Sequence, residues 1–188
     1  MKPICPLAPA DGADEAADAL VQLCTFRVGG EDYAVDIMRV REIIHPLPLT
    51  PVPRAPAFVE GVFRLRGEVI PVVDVRKRFG LPADPPTRRS RYVIVNVAGR
   101  RLGLVVDEVC EVLRVPRGDV RATPPLGDPR APRFFLGACG GESAPAAAGR
   151  RGGSSRLRLL LNVKALLDPS APGEADAARA QAEASRRA

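Results

Sequence analysis

Five prolines fall within eleven residues, at Pro46, Pro48, Pro51, Pro53 and Pro56. Proline has no backbone N–H and a fixed φ, so this stretch is closed both to helix and to a central strand. It must run as an extended edge or a loop. The same punctuation continues along the chain, with 20 Pro and 17 Gly among 188 residues. Long helices are excluded, and short apolar alternations between breakers point to short strands.

Val21 to Val28 alternates as a strand, Gly29-Gly30 supplies a turn, and Glu31 to Val35 reads as the return strand. Asp36 to Ile44 begins with a helical turn, because Ile37, Val40 and Ile44 share a face. Pro56 to Leu65 is expected to be a short helix: proline suits a first turn, Phe58, Val62 and Leu65 form a stripe, and Gly67 stops it. Glu68 to Val75 is an apolar strand in which Pro71 argues for an edge or bulge. Arg76 to Phe79 makes one turn before Gly80, and residues 82–90 form a polar loop. Arg91 to Val97 and Leu102 to Val106 form a second hairpin around Gly99, and Glu111 to Val115 is a further strand. After a proline-rich loop at 116–132, Phe134 to Ala138 and Arg156 to Asn162 are strands, and Val163 to Leu167 closes with a short helix. The expected organisation is a disordered lead at 1–20, a folded module at 21–168 with a Gly/Ala/Ser-rich insert at 140–155, and a mobile tail at 169–188.

Two stretches align at an offset of 69: VGGEDYAVDIMRVREII from residue 28 and VAGRRLGLVVDEVCEVL from residue 97. Val28/Val97, Gly30/Gly99, Val40/Val109 and Glu42/Glu111 are identical pairs. Apolar residues face one another at Tyr33/Leu102, Val35/Leu104, Ile37/Val106, Ile43/Val112 and Ile44/Leu113. Each copy is a hairpin, a tight bend and an apolar strand leading into a proline-rich loop. Two such units suggest two small β-barrels packed together, each about 70 residues, near the lower size of a stable core.

Composition removes several functions. The chain has one His, and its four cysteines, Cys5, Cys24, Cys110 and Cys139, make no CxxC pair, which argues against metal chemistry and a disulfide framework. Asp107 and Glu108 are sequence neighbours on a strand, so they point to opposite faces and make no acid/base pair. Ser154-Ser155 has no base nearby in sequence, and the Gly-Gly steps lack phosphate-loop spacing. No apolar run approaches a membrane span, and the start lacks a signal-peptide pattern, so a cytoplasmic protein is expected. The net charge is +6, and residues 21–167 hold 24 basic against 14 acidic residues. That charge leaves two classes open: a protein-docking surface, or a basic small-β-barrel nucleic-acid binder.

The stretch FVEGVFRLRGEVIPVVDVRKRF, Phe58 to Phe79, resembles the CheW-type chemotaxis coupling proteins. Their usual pattern here is PxFhxGhxNLRGxhhPhhDLRxxF, with h apolar. Pro56, Phe58, Gly61, Leu65, Arg66, Gly67, Pro71, Asp74, Arg76 and Phe79 fill it. The resemblance extends back to Tyr33–Ile43 and forward through Leu102–Val109 to Leu161–Leu167, covering about 21–168. It implies an all-β fold with a few short helices, made of two intertwined five-stranded SH3-like barrels. It also implies a non-enzymatic adaptor without cofactor, which bridges the cytoplasmic tip of chemoreceptors and the regulatory domain of a CheA-type histidine kinase. Such a protein is cytoplasmic and reaches receptor arrays, hence the membrane, only through the receptors. From the length, neither the kinase's other domains nor a fused receiver is expected.

Carried over by position, Val40, Glu42 and Ile43 lie where the family contacts receptor or kinase. Arg66 is the position whose substitution most often disables members, and Gly67 follows it. Arg64 stands where the family commonly has Asn, adding charge beside Arg66. Each residue also has a purely structural reading. Arg66 could bond carbonyls or Asp74, Val40 and Ile43 could be core, Glu42 a solvated edge charge, and Gly61 and Gly67 turn or close-packing glycines.

Overall fold

The computed structural model describes residues 19–82, 84–122, 134–140 and 156–167. The expected lead up to residue 18, the insert at 141–155 and the tail lie outside these residues. Ten strands dominate: β1 (Leu20–Val28), β2 (Glu31–Asp36), β3 (Val40–Ile44), β4 (Val59–Leu65), β5 (Glu68–Asp74), β6 (Arg91–Val97), β7 (Arg100–Val106), β8 (Glu108–Pro116), β9 (Phe135–Cys139) and β10 (Arg158–Leu161). Short helices follow β5 (α1, Val75–Arg78) and β10 (α2, Val163–Leu166), and 3-10 turns occupy Ile37–Arg39 and Arg117–Asp119.

The strands form two five-stranded sheets, ordered β8-β1-β2-β10-β9 and β3-β6-β7-β5-β4. Adding five to a strand number in the second sheet, or subtracting five, gives its counterpart in the first, so the internal repeat is a repeat of topology. β3 and β8 have exchanged places, each pairing with the hairpin of the opposite half. The repeat's alignment holds residue by residue. Val40 pairs with Val95 as Val109 pairs with Phe26, and Ile43 with Val93 as Val112 with Cys24. Both copies carry the same extra residue, a bulge, between those pairs. Each sheet closes on itself through one further antiparallel bridge, Thr50 to Val62 in one and Arg121 to Ala138 in the other. The result is two intertwined barrels.

Their cores merge. A single cluster joins Phe26, Tyr33 and Val35 of the first sheet to Val73, Val93, Val95 and Leu104 of the second and to Val163 and Leu166 of α2. Fully burying such side chains contributes about 1.5–3 kcal/mol each, so the two barrels form one cooperative unit. Arg78, 2% exposed, lies at this junction with its guanidinium 4.3 Å from the Phe58 ring and 5.0 Å from that of Phe134. Those rings precede β4 and β9, the counterpart strands.

One expected element is corrected: Pro56 to Leu65 is not a helix. Val59–Leu65 is strand β4, with Gly61 and Phe63 buried and Arg64 exposed between Phe63 and Leu65. The stripe of Phe58, Val62 and Leu65 fits a helix by spacing. β-Branched Val59 and Val62 and the central Gly61 weaken one, and the long-range pairing with β5 decides the outcome. Pro71 is also not on an edge strand, since β5 lies between β7 and β4. Val62 directs both of its backbone groups to Thr50, so its partner Pro71 sits at a non-hydrogen-bonded position facing β4. The missing N–H points towards β7, where pairing starts only at Val72. The eighth strand also starts earlier than expected, at Glu108, because it continues β7 with only Asp107 between them.

Candidate functional site

Three hairpins turn on two residues with positive φ: Gly29-Gly30, Arg66-Gly67 and Ala98-Gly99. These are the φ signs of a type I′ turn, which matches the twist of the flanking strands. At the β4–β5 tip a non-glycine, Arg66, holds φ +49. A left-handed conformation costs an ordinary residue about 1–2 kcal/mol, a cost Arg66 shares with Ala98 at the β6–β7 tip. Its side chain is 77% exposed, and the guanidinium reaches Glu42 Oε2 at 3.2 Å. The partner is thus Glu42 on β3. Asp74 instead accepts the Arg76 and Lys77 amides as the cap of α1.

The Arg66–Glu42 contact presses the hairpin tip against β3. Along β3, Glu42 is half-buried, and its neighbours Arg41 and Ile43 are exposed, Ile43 at 41%. Val40 turns inward and packs on the main core, so it is not part of the outer face. Arg64 is exposed, directly across from Val69, which is 61% exposed. Gly67 leaves open space at the turn, whereas Gly61 lies beneath the Thr50 carbonyl with φ +150. The structure therefore joins Glu42 to Arg66 beside Gly67 at the β4–β5 tip, leaves Arg64 exposed on β4 and Ile43 exposed on the side of β3 opposite Glu42, and places Val40 and Gly61 inside the fold. Met38, 80% exposed, sits in the 3-10 turn that leads into β3.

The opposite barrel carries a related arrangement. Glu111, the repeat partner of Glu42, pairs with the buried Arg158 at 3.3 Å, and Val112, the partner of Ile43, is 53% exposed. The Glu111 amide and carbonyl are both bonded by the Thr25 hydroxyl.

A polar network that sequence reading missed ties the halves together. Arg76 donates to both Asp107 oxygens at 2.8 and 2.7 Å, and the Gly29 amide donates to the same carboxylate at 2.8 Å. A second arm of Arg76 reaches Asp84 at 2.7 Å. This bidentate geometry holds the Arg76 charge firmly, chiefly through the Asp107 hydrogen bonds. The available signal was the repeat, where Asp107 faces the apolar Met38. The network borders a cleft of about 510 Å³ that also takes in Glu60, Asp74, Lys77 and Tyr92. Its carboxylates are engaged, Glu60 by Lys77. Burial, with the Glu60 charge adding to it, pushes the Asp74 carboxyl above the usual range.

Among the described residues, no group of three or more His, Cys, Asp or Glu could hold a metal ion. No described helix is long and apolar enough to cross a membrane. Cys24 and Cys139 are buried free thiols and Cys110 is an exposed one.

Comparison with known proteins identifies the family. Residues 22–170 match the family model described as the CheW-like domain. The Chemotaxis protein CheW of Rhizobium meliloti (strain 1021) is 45% identical over 105 residues, 56% of this chain and 68% of that protein. The Chemotaxis protein CheW of Klebsiella aerogenes is 32% identical over 144 residues, 76% of this chain and 78% of that protein. The crystal structure of the scaffolding protein TtCheW from Thermoanaerobacter tengcongensis is similar with a TM-score of 0.69 at 27% identity, covering 82% of this chain and 97% of that one.

Proposed function

This chain belongs to the CheW-like domain family, and on that premise we propose that it is a non-enzymatic scaffold coupling chemoreceptors to a CheA-type histidine kinase. The observation that carries the reading is the outer face of β3 and the β4–β5 tip. There Arg66, in a left-handed turn, is paired with Glu42, Val69 is exposed across from Arg64, and Ile43 is exposed along β3. Such a face offers apolar burial together with directional charge, the two ingredients of a protein contact. In this reading Glu42, Ile43, Arg64, Arg66 and Gly67 meet the partners, and Val40 and Gly61 hold the face in shape. The folded unit runs over 21–168. The protein works in the cytoplasm and meets the membrane only through receptors. Each contact is of transient size, and the array supplies avidity.

The competing reading, a basic nucleic-acid binder, lacks stacking surfaces. The six Phe and two Tyr are all buried or half-buried, among them Phe26, Tyr33, Phe63, Phe79 and Tyr92 in the cores. Single-strand binders need exposed rings.

Pulldown of the folded protein with the kinase regulatory domain and with the receptor cytoplasmic fragment of the source organism tests the proposal. Capture of both is expected. Capture of neither, combined with DNA or RNA affinity that falls steeply with salt, would overturn it.

A further inference from the structure

Five of the ten large apolar side chains exposed among the described residues lie between positions 38 and 69: Met38, Ile43, Leu47, Val52 and Val69. Along the same stretch of chain the arginines Arg39, Arg41, Arg54, Arg64 and Arg66 are exposed. Arg66 has Glu42, but among the described residues Arg39, Arg41 and Arg64 have no carboxylate within ion-pair distance. Arginines elsewhere divide: Arg27, Arg76, Arg89, Arg101 and Arg158 are answered by carboxylates, whereas Arg88, Arg91, Arg100, Arg114, Arg117, Arg121 and Arg156 have none within ion-pair distance among the described residues, so what marks Arg41 and Arg64 is their place among exposed apolar side chains. The one acid on β3, Glu42, is already taken.

We propose that this face selects its partner by charge, with Arg41 and Arg64 each receiving a carboxylate from a partner protein whose contact surface is apolar at its centre and acidic at its rim. The inference rests on the scaffold reading and adds the chemistry of the occupant. A guanidinium fork matches a carboxylate in two parallel hydrogen bonds, which fixes orientation as well as charge. Rim charges of this kind raise the association rate and reject partners of like sign. A second copy of the chain, docking by the same face, would bring Arg39, Arg41 and Arg64 against their own equivalents. Cations on the edge strand β3 also discourage edge-to-edge strand pairing. The complement of this face is therefore an acidic partner.

The test is titration calorimetry of the full chain against the receptor cytoplasmic fragment and the kinase regulatory domain, at low and at high salt. Arg41→Glu and Arg64→Glu are each expected to weaken binding of one of these partners about fivefold or more and to flatten its salt dependence. Arg41→Lys and Arg64→Lys should fall between, keeping charge but losing the fork. Arg100→Glu, an exposed cation at the far β6–β7 tip, serves as the control and should stay within about twofold. Circular dichroism confirms that each variant is folded. Equal losses at Arg100, or no loss at Arg41 and Arg64, overturn the inference while leaving the scaffold reading intact. So does binding to phosphatidylglycerol vesicles that is lost in the same variants while protein affinities hold, which would mark a lipid-facing surface. If the unsubstituted chain binds neither protein, the scaffold reading fails and this inference fails with it.

Discussion

Replacing Gly61 with alanine should damage the fold more than the same change at Gly67 or Gly137. A Cβ at Gly61 would lie 2.6 Å from the Thr50 carbonyl oxygen, 3.1 Å from its carbon and 3.2 Å from Leu49 Cβ. The carbonyl cannot retreat freely, because Thr50 and Val62 exchange hydrogen bonds of 2.8 and 2.9 Å that close the sheet. Overpacking of this kind costs about 1–3 kcal/mol. A side chain at φ +150, a region adopted by glycine, costs about 1–3 kcal/mol more. The sum is about 2–6 kcal/mol, or roughly 4–24 °C in Tm for a domain of this size. The other two glycines separate the components. Gly137 has the same 2.6 Å approach, to the Arg121 carbonyl oxygen, without a left-handed φ, so Gly137→Ala should lose about 1–3 kcal/mol. Gly67 has φ +89 with nothing within 4 Å, so Gly67→Ala should lose about 1 kcal/mol. Thermal and urea unfolding of the three variants reads the order directly. A Gly67→Ala loss that equals or exceeds that of Gly61→Ala, or an unchanged Tm for Gly61→Ala, would refute the reasoning.

Arg66→Gly relieves the left-handed strain of about 1 kcal/mol and loses an exposed ion pair of about 0.2–1 kcal/mol. Its Tm should match or exceed the parent's while partner affinity falls; a clear drop in Tm would assign Arg66 to the fold. The Asp74 carboxyl is raised by burial, so the native state holds its proton to higher pH than the unfolded chain does. Its contribution to stability is therefore favourable at acid pH and declines as pH rises from its ordinary value of 3.8 through the raised one. Asp74→Asn keeps an N-cap and should remove that decline, measured as urea midpoints across acid pH; an unchanged pH profile would contradict it. Burial raises the Cys24 and Cys139 thiols. Mass spectrometry after iodoacetamide treatment should find Cys110 labelled in the native protein and those two only after denaturation, and native labelling of Cys24 would contradict the packing.

Much of this architecture was legible because strands announce themselves locally. Val21 to Val28 and Arg91 to Val97 alternate, and Gly29-Gly30 and Gly99 mark two of the turns. The offset-69 repeat holds down to its bulge. Three features were not legible, for related reasons. β4 resembled a helix because its apolar spacing fits either period over so few residues, and its pairing with β5 outweighs local propensity. The exchange of β3 and β8 is silent in sequence, since an apolar strand suits either barrel and only the three-dimensional path assigns it. The Arg76–Asp107–Gly29 network joins residues 31 and 78 positions from one another along the chain, beyond any spacing rule. At the candidate site the resemblance pointed to Glu42 and Arg66, and the contact between them emerged only once the β4–β5 tip was folded onto β3.

The central claim is that this protein acts by joining two others. The most direct measurement is the autophosphorylation rate of the source organism's CheA-type kinase mixed with its receptor-containing membranes, with and without this chain. The account predicts that the kinase co-sediments with the membranes and responds to receptor ligand only when the chain is present, and that Arg66→Ala abolishes the response while remaining folded. Recruitment and response that are the same with and without the chain would contradict it.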